Sequence, residues 1–253
     1  MKTISKDYLR YLQTMNSVID SKESALPDVN GKEDYMRLIR PRMPKNIPFM
    51  LYRYVPLNLN TLSSIINQDV YMVEAEKMND AFEGAAYSVQ GNASLTAKSI
   101  KAAQRDLFLK SFSYDPDSIL MWSHYGDANK GIRIGYDFAQ APSKVLNHLY
   151  PVQYSDTRFS FQRTDKTPLH PFLLLRKSSC WAYEKEFRLI YSRKDLDGNR
   201  FIPLNCISDI TFGVRTDEQH IEIVKRLVQG MNITLYQAKQ KDNSFELEKE
   251  PIL

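Results

Sequence analysis

The chain is poor in the residues that support several common chemistries. Among 253 residues there are two cysteines, Cys180 and Cys206, and four histidines. Two cysteines allow one disulfide but no disulfide framework, and they suit a reduced compartment. With no CxxC pair and so few histidines, a classical zinc site has no support. Glycine is scarce at nine residues, and there is no GxGxxG or Walker loop, so neither a dinucleotide-binding βαβ turn nor a phosphate-cradling P-loop is indicated. Long apolar runs are also missing. A stretch such as Leu169 to Leu175 is far short of the roughly 20 residues a membrane span needs. The first residues, MKTISKDYLRYLQ, contain no apolar signal core, so the expectation is a cytoplasmic protein without a membrane partner.

What is present is an ordinary globular balance, 43% hydrophobic and 25% charged, with a generous 27 Tyr and Phe. That composition excludes collagen-like and largely disordered chains. The net charge of +4 is mild, and its densest basic patch is short: Arg37, Arg40, Arg42 and Lys45. A polyanionic ligand is allowed but not demanded.

Three regions follow from the pattern along the chain. Residues 1–46 read as an N-terminal helical arm, with Tyr8, Leu12, Met15 and Ile19 at helical spacing and a break at Pro27, Asn30 and Gly31. The arm is either packed on the body or free to engage a protein or nucleic-acid partner. Residues 47–240 read as the core domain and 241–253 as a charged, frayed tail. In the core, strands are expected at 48–54, 70–73, 107–113, 131–138, 150–154, 183–192, 201–204, 207–214 and 233–238. Helices are expected at 60–66 (capped by Asn60), 95–106, 118–125 (capped by Asp117), 169–177 and 217–229 (opened by a Thr216/Gln219 capping box). Strands outnumber helices without regular alternation, which predicts an α+β fold, mainly antiparallel with flanking helices.

Four segments could carry chemistry. In Tyr52-Arg53-Tyr54, Arg53 shares a strand face with Leu51 and needs an anion, either a protein carboxylate or a ligand phosphate. The run Asn79-Asp80-Ala81-Phe82-Glu83-Gly84 is polar enough to bind a ligand and also fits a capped turn. Ser111 and Ser113 share a strand face just before Trp122, His124 and Tyr125, aromatics that could pack in the core or wall a flat heterocycle. Finally, in a strand Glu184, Glu186 and Arg188 fall on one face, with the carboxylates about 7 Å apart. Such a pair is either an exposed salt-bridged surface or a coupled catalytic pair.

The blocks LYRY, NDAFEG, SFSYDPDSILMWSHYGDANKGIRIGYDF and KSSCWAYEKEFRLIY, in that order, resemble the bacterial family called domain of unknown function 2971, across roughly Phe49 to Val214. Ala81 departs from the proline that family usually has after Asn-Asp. A second resemblance is to the ADP-ribosyltransferase fold of the arginine–serine–glutamate type. It rests on Tyr52-Arg53, Ser111-Phe-Ser113 and Glu184-Lys-Glu186. It implies a split pair of antiparallel sheets with NAD, as substrate, in the cleft between them. Arg53 would hold the NAD phosphates or ribose, Ser111 or Ser113 would orient the glutamate strand, and Trp122 or Tyr125 would stack on nicotinamide. Glu186 would stabilise the sugar cation and Glu184 would activate the acceptor. The implied function is an NAD-consuming toxin or phage-defence effector that modifies a macromolecule. Two alternatives stay open: a metal-dependent nuclease using Asp80, Glu83, Glu184 and Glu186, and a non-enzymatic binding module of a defence or toxin–antitoxin system.

Overall fold

A computed structural model describes residues 50–85, 87–89, 93–161 and 174–252. The expected N-terminal arm, its two helices and its basic patch lie outside these residues, as does 169–173 of the expected helix 169–177. In chain order the elements are β1 (Met50–Val55), α1 (Leu59–Asn67), β2 (Asp69–Tyr71), β3 (Val73–Glu74), β4 (Tyr87–Val89), α2 (Ala93–Asp106), β5 (Leu107–Ser113) and α3 (Ile119–His124). They continue with β6 (Ile132–Asp137), α4 (Ser143–Leu146), β7 (Leu149–Pro151), β8 (Gln153–Tyr154), β9 (Phe159–Phe161) and β10 (Arg176–Lys177). A 3₁₀ turn over Ser179–Glu184 leads into β11 (Glu186–Ser192), α5 (Arg193–Leu196), β12 (Phe201–Pro203) and β13 (Ile207–Phe212). The last elements are α6 (Glu218–Leu227), β14 (Thr234–Gln240) and β15 (Leu247–Pro251).

The fold is α+β. Its main sheet has nine strands in the order β15-β14-β13-β6-β1-β5-β11-β7, with β3 added on β5, and it is antiparallel except where β13 runs parallel to β14. The intervening α6 supplies the crossover that a parallel pair requires. The core lies against this sheet, built from alternating residues such as Leu51, Phe112, Ile134, Tyr136, Leu189 and Phe212.

The expected split pair of sheets is replaced by one sheet with a weak seam. β1 and β5 are joined at Tyr52 opposite Ser113. On the far side of each, pairing is long: β1 runs beside β6 from Met50 to Val55, and β5 beside β11 along its whole length. The edge of β5 that faces β1 carries β3 at Phe108 and Leu109. Between those two attachments, Lys110 to Phe112 have no strand partner on that edge among the described residues. The seam is therefore a gap in the sheet, and it positions the site.

Several local expectations shift by a residue or more, each for a visible reason. The cap of α1 is Asn58, whose side chain accepts from the Thr61 N–H, rather than Asn60. Ser118, not Asp117, caps α3, and Asp117 faces the buried Arg133 instead. Asp217 caps α6, while the Thr216 hydroxyl donates to the Gly131 carbonyl. The end of the expected helix 169–177 is strand β10, because Lys177 pairs alongside Tyr154. The tail is not frayed: β15 pairs with β14 from Tyr236 opposite Pro251 to Gln240 opposite Leu247. Both cysteines are unbridged, with Cys180 exposed and Cys206 buried.

Candidate functional site

A cavity of about 180 Å³ opens at the seam. β1 lines it with Tyr52, Arg53 and Tyr54, β5 with Leu109 to Ser113, α3 with Met121 and Tyr125, and the far side with Asn79, Lys177, Glu184 and Glu186. Because β1 and β5 diverge there, both faces of each strand border the opening. The arginine, serine and glutamate segments, far apart in sequence, thus meet on consecutive strands. β1 and β11 flank β5, so at about 4.8 Å per strand spacing Arg53 and Glu186 sit on strands about 10 Å apart.

The two glutamates reach the cavity by a different route from the one expected. Glu184 is not on the strand; it ends the 3₁₀ turn, and Lys185 follows in the left-handed region at φ 46°. That residue turns the chain so that Glu184 and Glu186 still converge. The joint is Lys177, which donates to Glu184 Oε2 at 2.6 Å and lies 3.6 Å from Glu186 Oε2. Its ammonium also sits 4.5 Å over the Trp181 ring. The Tyr125 hydroxyl donates to Glu184 Oε1 at 2.6 Å, and Asn79 Nδ2 donates to the Tyr125 oxygen at 3.2 Å.

Behind Glu186 lies Arg188, which is fully buried. Its Nε and Nη2 donate to the two oxygens of Glu186 at 2.7 and 3.0 Å. Its Nη1 and Nη2 donate to the two oxygens of Glu83 at 2.6 and 3.1 Å, and Nη1 also meets the Leu174 carbonyl. A guanidinium clamped bidentately on both sides is among the more tightly oriented ion pairs a protein can build. The Glu186 N–H donates to the Tyr154 hydroxyl at 2.8 Å, which fixes the backbone as well.

These surroundings drive the two carboxylates apart. Burial pushes Glu184 up, and the charge of Glu186 adds to it, against the pull of Lys177 and Tyr125. Burial would raise Glu186 too, but Arg188 and then Lys177 outweigh it and hold that carboxyl below the usual range. The pair is split in opposite directions, Glu186 lowered and Glu184 raised.

The cation side is different. Arg53 makes no ion pair among the described residues. Its charge is felt by the buried Tyr136 hydroxyl, which makes no hydrogen bond of normal geometry. Lys110 is also without an ion pair, and burial together with Arg53 lowers its pKa to about 6. Ser111 Oγ lies near enough to Glu186 to help keep it ionised, yet it is buried without a well-formed hydrogen bond. Ser113 Oγ is used locally, accepting from the Asp115 N–H at 3.0 Å.

Three expected site residues fall outside the lining. Trp122 is fully buried and packs edge-on to Tyr54 with ring centroids 5.1 Å apart, so it is a core residue. His124 is exposed, with Nδ1 3.0 Å from the Tyr183 hydroxyl. Asp80 accepts from the Phe82 N–H at 2.9 Å and serves its own turn. Of the acidic residues considered as metal ligands, Glu83 uses both oxygens on Arg188. Among the described residues no group of three His, Cys, Asp or Glu is arranged to hold an ion. Sequence reasoning missed Lys177 and Lys110. Lys110 interrupts the apolar run 107–112 and Lys177 follows the run 171–175 after Arg176, and in neither case does the sequence name the partner.

The model of a family described as "Protein of unknown function (DUF2971)" matches residues 121–189. That stretch is shorter than the Phe49 to Val214 span read from the sequence blocks, and it includes Met121, Tyr125, Lys177, Glu184, Glu186 and Arg188. No curated protein and no solved structure matches the chain.

Proposed function

We propose that the seam cavity is an ADP-ribosyl transfer site that cleaves NAD and passes the sugar to an acceptor. The observation that carries this reading is the split carboxylate pair, Glu186 lowered and Glu184 raised, in a cavity that Arg53 and Ser111 also line. Environments that separate two carboxyl pKa values are how one site assigns an electrostatic role and a proton-transfer role.

The chemistry uses those roles directly. When the bond between the ribose carbon and the nicotinamide nitrogen breaks, its electron pair leaves with the nitrogen and positive charge builds on the sugar. The Glu186 carboxylate, fixed by Arg188, stabilises that charge more in the transition state than in the ground state. Glu184 accepts the proton of the attacking acceptor as the new bond forms. A cavity of about 180 Å³ is smaller than the roughly 300–1,000 Å³ that encloses a drug-sized ligand. It suits the reacting end of NAD, with the remainder lying over the open rim. Arg53 supplies a guanidinium for phosphate, and of Trp122 and Tyr125, the two aromatics expected to stack on nicotinamide, Tyr125 is the one that lines the cavity. The acceptor is a macromolecule in this reading, and the toxin or phage-defence setting rests on the family resemblance alone.

The test is nicotinamide release on incubation with NAD, with and without bacterial protein or nucleic acid as acceptor. Wild type should release it and Glu186→Gln should not, with both showing the same circular dichroism. If neither wild type nor variant consumes NAD with any acceptor class, the reading fails.

A further inference from the structure

The wall opposite the carboxylates carries a second, chemically distinct feature. Lys110 sits on β5 between Leu109 and Ser111, on the stretch with no strand partner toward β1, and lines the cavity. On β11 it lies opposite Leu189, which is fully buried. On β1 the charged neighbour is Arg53. From β3 the acidic candidate is Glu74, which is engaged by Lys77 and Arg200. No carboxylate therefore balances either cation among the described residues. A lysine in apolar surroundings beside a second cation loses its proton readily and becomes a nucleophile at neutral pH, and a low pKa of about 6 agrees with this. Arg53, by contrast, keeps its charge and presents a fork suited to phosphate.

We propose that Lys110 and Arg53 form a carbonyl-capture site: the Lys110 amine condenses with a small aldehyde or ketone that also bears a phosphate, and Arg53 holds the phosphate. The amine lone pair adds to the carbonyl carbon. The two amine hydrogens pass to the oxygen, the carbon–oxygen bond breaks, and water leaves as the carbon–nitrogen double bond forms. No oxidant or metal is required. The site shares Arg53 with the NAD reading but uses neither glutamate, and its test contains no NAD, so the failure of one is distinguishable from the failure of the other.

Pyridoxal 5′-phosphate combines an aldehyde with a phosphate and serves as the probe. The full chain is incubated with it at neutral pH, reduced with borohydride and mapped by peptide mass. Lys110 should be labelled ahead of exposed lysines such as Lys101 and Lys194. Pyridoxal without the phosphate should label it about tenfold more slowly, the effect of losing one charge-assisted contact of about 1.4 kcal/mol. Arg53→Gln should erase that difference, and inorganic phosphate should protect the wild-type chain, a readout that does not depend on the variant folding. Labelling of surface lysines with Lys110 untouched, or equal labelling of Lys110 by both probes, would overturn the proposal.

Discussion

On one side, Glu83 and Arg188 behind the cavity and Glu186, Lys177 and Glu184 lining it form an unbroken chain of alternating charge, closed at its end by Tyr125. On the other, Arg53 and Lys110 stand together with no carboxylate partner among the described residues. Both walls bury charge, and burial penalises each in the same way. The first wall offsets the penalty with internal partners, so it is self-sufficient and rigid. The second leaves it uncompensated in the free protein, which is the state that a bound anion, or loss of a proton, would relieve. The difference separates buried charge that is balanced within the protein from charge that has no carboxylate partner among the described residues. Arg133 is buried like Arg188 and, like it, lies outside the cavity lining; it meets the Pro116 carbonyl, Thr211, Asp209 and Asp117, 4.8 Å from the Tyr52 ring.

The comparison can be broken most severely at Arg188. Arg188→Met leaves Glu83 and Glu186 buried without their partner, and breaking a buried pair costs about 3–5 kcal/mol. Urea unfolding should show that loss or an unfolded chain, and adding Glu83→Gln should recover part of it. A variant as stable as wild type would mean the wall is not self-sufficient.

On the cation wall the expectation has the opposite sign. The folded chain releases the Lys110 proton near pH 6, whereas the unfolded chain keeps it to about 10.5. Stability should therefore rise with pH across that window, at up to about 1.4 kcal/mol per pH unit. Lys110→Met should remove this slope and raise the melting temperature at neutral pH. Unfolding curves from pH 6 to 10 that are parallel for the two proteins would contradict the picture.

Smaller effects sharpen the carboxylate wall. Lys177 and Tyr125 both pull Glu184 down, against burial and Glu186. Removing either should raise it further, so an activity that needs ionised Glu184 should lose its acid limb at higher pH. Tyr125→Phe deletes one hydrogen bond to a charged group, worth about 1.5–3 kcal/mol at most. NAD turnover measured across pH should show the shift, and an unmoved acid limb would remove Glu184 from the base role. Smallest of all, His124→Ala removes one contact with Tyr183 at the exposed rim and should change stability by less than about 0.5 kcal/mol, measured by urea unfolding.

Much of this was legible in the sequence, and the limits have physical causes. Local pattern marked the elements: alternation marked β6, apolar residues at helical spacing marked α6, and strands outnumbering helices without regular alternation pointed to an α+β fold. The pairing of arginine, serine and glutamate strands was also readable as a pattern. Sequence alone did not decide which neighbour each charge would find, because ion pairs such as Arg188 with Glu83 span 105 positions and depend on how strands stack. The strand parity that put Glu184 and Glu186 on one face was the wrong reason for the right proximity, since a left-handed Lys185 brings them together. Only the tertiary structure decided that β1 and β5 touch at one residue pair, that the resulting gap is a cavity, and that its two walls differ in whether their buried charge is balanced. Those properties come from non-local packing, which no short window of residues encodes.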